Sequence, residues 1–169
     1  MELKEALLRR RSIRKFAAQP VPEAAIEEML HAAMSGPSAC NRRPWEFYAV
    51  SNEAVLAQLR KATHFSNMNA PLAMVVCGRL DRALPGEMAS YWIQDCSAAT
   101  QNILLRATDL GLGTVWCGLY PQKRGAENAA RILGLGENCV PLSLIFVGYP
   151  AEEQEARDQY EAELVHYIR

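Results

Sequence analysis

The segment from Met88 to Leu110 constrains the fold more than any other part of this sequence. It predicts a long helix that ends at Gly111. Apolar side chains recur along it at helical spacing, and two more widen the stripe: Trp92, Cys96, Ala99, Ile103, Ala107 and Leu110, with Ile93 and Leu104. A helix that is apolar over so wide an arc is buried on more than one side. The segment is therefore either the central helix of a core or a helix shared across a dimer interface.

Four shorter segments around this helix have the pattern of β-strands. Leu72–Cys77 is a continuous apolar run, which is typical of a strand covered on both faces, and Val140–Val147 is nearly so. The other two segments are Glu46–Val50 and Thr114–Cys117. Because helices and strands do not alternate regularly, the pattern predicts an α+β fold. The length of 169 residues fits a single domain, residues 1–169.

Composition excludes several classes of function. The formal net charge is −1, whereas a general nucleic-acid-binding protein is usually strongly basic. No apolar run approaches the roughly 18 residues of a membrane span, and the first residues lack the apolar core of a leader peptide. The five cysteines are scattered without a Cys-x-x-Cys pair, and the three histidines lie far apart. We therefore expect reduced thiols, no metal site and a cytoplasmic protein.

Two polar segments are candidates for ligand binding. Arg9–Phe16 carries five cations and a hydroxyl after a short helix, and arginine binds phosphate in bidentate fashion. By itself this segment is also compatible with a solvated basic turn or a nucleic-acid patch. In Pro37–Trp45, Ser38 and Asn41 offer hydrogen bonds to a polar ligand, and Ala39 leaves room for a flat ring. The same residues would also suit a plain loop with local turns.

These two segments together resemble the flavin-dependent nitroreductases. The first contains Arg-x-Ser-x-Arg at residues 10–14, and the second contains Pro-Ser-x-x-Asn-x-x-Pro-Trp at residues 37–45. The likeness runs from Leu3 to Tyr167. It implies a mostly antiparallel sheet of four to five strands flanked by helices, in a homodimer whose two flavin sites lie at the interface. It also implies FMN as the cofactor, NAD(P)H as the hydride donor, and a ping-pong transfer to a nitroaromatic or quinone-like acceptor.

The resemblance assigns residues to the flavin site. By this likeness Arg10 and Ser12 hold the ribityl phosphate, with Arg11 beside them. Arg14 reaches the pyrimidine edge, where a cation would stabilise the negative charge of the reduced flavin. The remaining candidates are carried over by position: Pro37, Ser38, Ala39 and Asn41 from the other subunit, one of Asn67 and Asn69 with Asn69 favoured, then Trp116, Cys117, Gly118 and Arg157.

Among these candidates, Arg14, Cys117 and Gly118 are expected to tune the flavin, and no side chain is an obligatory acid or base. The amide of Cys117 would face the flavin N5, and Gly118 permits close approach. Residues 151–169 form a charged C-terminal tail that we expect to dock on the partner subunit. The alternative to an enzyme is a non-catalytic flavin-binding or storage protein. The physiological acceptor and the choice between NADH and NADPH stay open.

Overall fold

The computed structural model describes residues 1–169 as five α-helices and four β-strands. In chain order these are α1 (Leu3–Arg9), α2 (Glu23–Met34), β1 (Trp45–Val50), α3 (Glu53–Leu59), β2 (Leu72–Arg79), α4 (Tyr91–Asp109), β3 (Gly113–Gly118), α5 (Lys123–Leu133) and β4 (Cys139–Gly148). No helix combines the length and the hydropathy needed to cross a membrane.

The four strands form one sheet in the order β1-β2-β4-β3, and every pairing is antiparallel. The predicted α+β fold is therefore confirmed. Each predicted strand is found within one or two residues of its expected bounds, since the apolar runs that mark the strands are also the residues the core buries.

Both faces of the sheet are covered, as the apolar runs predict. Successive side chains of a strand point to opposite faces. Met74 and Val76 of β2 accordingly belong to a core shared with α2 and α4, whereas Val75 and Cys77 belong to a second core under α3 and α5. β2 is thus buried along nearly its whole length. This burial on both faces explains why apolar and polar residues do not alternate in its sequence.

The apolar side chains of α4 are packed against other parts of the same chain. One side of the helix packs on the sheet and another packs on α2. Trp92 lies against β2, where a Cβ on Gly78 would come within 2.2 Å of the indole ring. The helix starts at Tyr91 because residues 86–90 form a 3₁₀ turn. α4 is therefore a central core helix.

The arm, which we define as residues 10–16, runs beside the outer edge of β3. The amide of Ile13 donates to the carbonyl of Thr114 over 2.8 Å, and Ser12 and Thr114 form an isolated parallel bridge. An extended segment is thus held against an edge strand that otherwise has no neighbour.

The first part of the C-terminal tail is hydrogen-bonded to the N-terminal part of the same chain. The amide of Ala151 donates to the Lys15 carbonyl at 2.9 Å, and the amide of Arg157 donates to the Leu8 carbonyl at 2.9 Å. Residues 151–157 therefore line the arm. The remainder exposes apolar side chains that have no partner in the chain, among them Leu164, Tyr167 and Ile168. The docking of this tail, residues 151–169, on a partner subunit stays a prediction, and residues 158–169 carry the exposed apolar side chains that it would bury.

Candidate flavin site

The arm presents alternate side chains to two different environments. Because it is extended, Arg10, Ser12 and Arg14 point to the same side. They line cavities next to β3. Ile13 is buried on the opposite side, and the guanidinium of Arg11 donates to the Glu155 carbonyl at 2.6 Å. The structure therefore places Arg11 against the tail, away from the residues with which the resemblance had grouped it.

One cavity lies at the start of the arm. Its volume is about 420 Å³, and its lining consists of Arg10, Ser12, Gln101, Leu104, Thr114, Trp116 and Gly118. The guanidinium of Arg10 forms no ion pair with a carboxylate and no hydrogen bond in the chain, although the residue is half-buried. A cation, a hydroxyl and an amide that meet without an acidic neighbour form a suitable site for a phosphate.

A second cavity lies at the other end of the arm. Its volume is about 480 Å³, and its lining consists of Arg14, His64, Phe65, Asn67, Met68, Val115, Trp116, Cys117 and Gly118. Trp116 and Gly118 line both cavities. The two cavities therefore meet along β3 and can hold one elongated ligand, with Arg10 at one end and Arg14 at the other.

Gly118 leaves bare backbone where the two cavities meet. A Cβ built at this position would have no heavy atom of the chain within 4 Å, and the φ of Gly118 does not lie in the left-handed region. Neither backbone conformation nor internal packing requires glycine here. The missing side chain instead opens the floor of the cavity to a ligand, which is the property a flat flavin ring needs.

Cys117 is the thiol nearest to this floor. Its side chain is buried, and its Sγ lies 3.4 Å from the Phe65 carbonyl oxygen. Burial raises the pKa of the Cys117 thiol to about 11, and the positive charge of Arg14 offsets only part of that rise. At neutral pH the side chain is therefore a protonated thiol and a poor nucleophile.

The model of the nitroreductase family matches residues 7–69 and 65–149. This chain belongs to the nitroreductase family. A protein of Methanothermobacter thermautotrophicus named as a candidate NADH dehydrogenase/NAD(P)H nitroreductase is 42% identical over 98% of this chain and 86% of its own.

Solved structures agree with this membership. A structure from Parabacteroides distasonis with the same kind of name has a TM-score of 0.92 and 35% identity, covering 98% of this chain and 96% of its own. A candidate nitroreductase from Desulfovibrio desulfuricans, solved in complex with FMN, has a TM-score of 0.84 and 26% identity, covering 100% and 98%. The expected fold is thus the fold of solved nitroreductases.

The two candidate asparagines, Asn67 and Asn69, have different surroundings. Asn67 lines the Arg14 cavity. Asn69 instead holds the arm in place: its Oδ1 accepts from the Phe16 amide at 3.1 Å, and its Nδ2 donates to the Phe16 carbonyl at 2.8 Å. The cavity therefore contains Asn67, whereas the side chain of Asn69 is bonded to the arm, and a flavin contact of either residue stays a prediction.

The segment 37–41 lies away from both cavities within the chain. The Ser38 Oγ accepts from the amide of Arg43 at 2.9 Å, and the amide of Ala39 donates to the buried Asp95 of α4 at 2.9 Å. Asn41 is exposed, has a φ of 51°, and its side chain has no hydrogen-bond partner. Pro37 is likewise exposed. None of these residues meets the arm in the same subunit.

Arg157 lies near the end of α1. Its backbone is tied to Leu8, two residues before Arg10, while its guanidinium makes no hydrogen bond or ion pair in the chain. Arg157 is not among the residues that line either cavity, so its part in a phosphate site stays a prediction.

Sequence reasoning missed two residues of the cavity at the phosphate end. Gln101 comes from α4 and Thr114 from β3. Gln101 had no distinguishing signal, since α4 carries other polar side chains as well, among them Gln94, Asn102 and Arg106. Thr114 had none, because its place depends on the bridge to Ser12.

Proposed function

We propose that this nitroreductase is an FMN-dependent oxidoreductase that moves hydride equivalents from NAD(P)H to an electron-poor acceptor, a nitroaromatic compound or a quinone, in a ping-pong sequence. The observation that carries the proposal is the continuous cavity along β3, with a cation lacking a carboxylate partner at each end and bare backbone at Gly118 between them. Family membership and the FMN-bound relative support it.

The phosphate of FMN would bind at the Arg10 end. Arg10 supplies a bidentate donor, Ser12 a hydroxyl and Gln101 an amide, all lining the same cavity. Arg157 lines neither cavity, but its guanidinium has no partner in the chain, and we propose that it adds positive charge near the phosphate from the tail. The arm is fixed to β3 and to Asn69, so these donors need little reorganisation when the ligand arrives.

The ring of FMN would lie over Trp116 and Gly118, with Asn67 and Arg14 at its polar edge. When bound, FMN accepts two electrons from one substrate and delivers them to another. Arg14 contributes a fixed positive charge at the end where negative charge would develop. Cys117 contributes its backbone only, because its thiol stays protonated at neutral pH.

We further propose a homodimer in which Pro37, Ser38, Ala39 and Asn41 approach the flavin of the other subunit. The exposed carboxamide of Asn41, which has no partner in its own chain, supports this assignment. The apolar side chains of residues 158–169 would then find a surface on the partner.

An absorbance spectrum of the purified protein, recorded before and after anaerobic NAD(P)H, tests the function. The expected result is a flavin spectrum that bleaches with the nucleotide and returns when a quinone is added. A protein that binds FMN but is not bleached by either nucleotide would be the non-catalytic flavin-binding alternative. A protein that ignores added FMN would contradict both.

A further inference from the structure

A third cavity, of about 400 Å³, lies between the turn after α3 and the start of α5. Its lining is largely polar: Lys61, Ala62, Thr63, His64, Gln122, Arg124, Gly125 and Asn128. Three of these residues are basic, and no aspartate or glutamate is among them. A concave site with this balance attracts anions.

The two strong cations of this basic cavity are not used by the fold. Neither Lys61 nor Arg124 forms an ion pair with a carboxylate. The neighbouring Arg60 shows the contrast, since it pairs with Glu53 and also donates to the Met68 carbonyl at 2.8 Å. Lys61 and Arg124 are therefore available to a ligand.

The walls of the basic cavity are held rigidly. The Oγ of the fully buried Ser66 accepts from the Thr63 amide at 3.0 Å and lies 3.1 Å from the Arg60 carbonyl oxygen. Asn128 of α5 donates to the Ala62 carbonyl at 3.2 Å. The turn is thus clamped on itself and on α5, and a ligand would not have to order it.

The basic cavity adjoins the candidate flavin site. His64 lines both this cavity and the one that contains Arg14, Trp116 and Gly118. A nucleotide whose reactive end stacks on a flavin above Gly118 would have its other end on the His64 side, towards Lys61 and Arg124.

We propose, resting on the oxidoreductase function above, that the basic cavity binds the 2′-phosphate of NADPH and makes the protein prefer NADPH to NADH. The two nucleotides differ only in this phosphomonoester. Cationic side chains, arginine above all, are what a 2′-phosphate requires. Lys61 and Arg124 are then the specificity-determining residues, and the ordered turn sets their spacing.

Titration calorimetry with 2′,5′-ADP and 5′-AMP on the purified protein tests the proposal without any turnover. We expect 2′,5′-ADP to bind roughly tenfold or more tightly than 5′-AMP, about 1.4 kcal/mol per tenfold. Lys61→Gln and Arg124→Gln should each reduce that preference, and the double variant should abolish it. Arg131→Gln, at the far end of α5, is the matched control and should leave the preference unchanged. Equal affinity of the wild-type protein for the two nucleotides would overturn the proposal.

Steady-state kinetics with a quinone acceptor separates this inference from the function on which it rests. We expect the double variant to lose roughly tenfold or more in kcat/KM for NADPH, with NADH little changed. If both nucleotides are oxidised and their ratio is the same in the double variant, the inference fails while the oxidoreductase function stands. If neither is oxidised, the proposed function fails, and the calorimetric preference for 2′,5′-ADP still decides whether the cavity reads a 2′-phosphate.

Discussion

Gly118→Ala should strengthen the fold and weaken FMN binding. The new Cβ meets no heavy atom of the chain within 4 Å, and the backbone is not in the left-handed region. Replacing glycine by alanine at such a site stabilises a protein by about 0.4–1 kcal/mol, because the unfolded chain loses freedom. At roughly 2–4 °C per kcal/mol for a chain of this size, the Tm of the flavin-free protein should rise by about 1–4 °C.

The same methyl group stands in the cavity that the flavin ring would fill. Adding a methyl or methylene to a packed contact costs about 1–3 kcal/mol. The Kd for FMN should therefore rise roughly 5- to 140-fold. The two effects have opposite signs, and a merely structural glycine would not produce this combination.

Two measurements check the prediction: thermal unfolding of the flavin-free protein by circular dichroism, and titration of FMN fluorescence. Gly136→Ala is the matched control, because a Cβ there also meets nothing within 4 Å and Gly136 lines neither cavity along β3. It should raise the Tm and leave the Kd unchanged. If Gly118→Ala lowers the Tm, or leaves the affinity for FMN intact, the assignment of Gly118 to the flavin floor is refuted.

Three further predictions follow from the packing and the charges. Gly78→Ala should cost about 1–3 kcal/mol, since its Cβ would lie 2.2 Å from the Trp92 ring; an unchanged unfolding curve would refute that contact. In redox titrations of FMN-saturated variants, Arg14→Ala should lower the midpoint potential by roughly 30 mV for each 1.4 kcal/mol of lost preference for the reduced form, whereas Arg10→Ala should not change it. If Arg10→Ala lowered the potential and Arg14→Ala did not, Arg10 would lie at the flavin ring and Arg14 at the phosphate. Deleting residues 158–169 should shift sedimentation velocity towards monomer while the chain stays folded, and an undiminished dimer would exclude the tail from the interface.

Much of the fold was readable because its signals are local. The continuous apolar run of β2 predicts a strand buried on both faces, and the stripe on α4 predicts burial on two sides. The structure then showed that, within the chain, the sheet and α2 cover that arc. The arm was recognisable as a candidate phosphate site only together with residues 37–45, because the two motifs together carry the resemblance to the family.

Side-chain direction was not readable, since it depends on contacts between residues distant in the chain. Arg11 turns towards Glu155, away from its neighbours Arg10 and Ser12, because the arm is extended against β3 and its side chains alternate. If the arm were helical, Arg10, Arg11 and Ser12 would not alternate between its two sides. Similarly, nothing local separates Asn67 from Asn69.

The amino-acid sequence by itself therefore determined the helices and strands, the α+β class and the motifs that mark the family, because propensity, periodicity and residue type act over short stretches of chain. Only the tertiary structure decided which side chains share a cavity. It turned Asn69 to the backbone of Phe16, and it brought Lys61 and Arg124 together from separate elements without a carboxylate between them. Residues that are distant in the sequence come together only when helices and strands pack, and no short stretch of sequence specifies that packing.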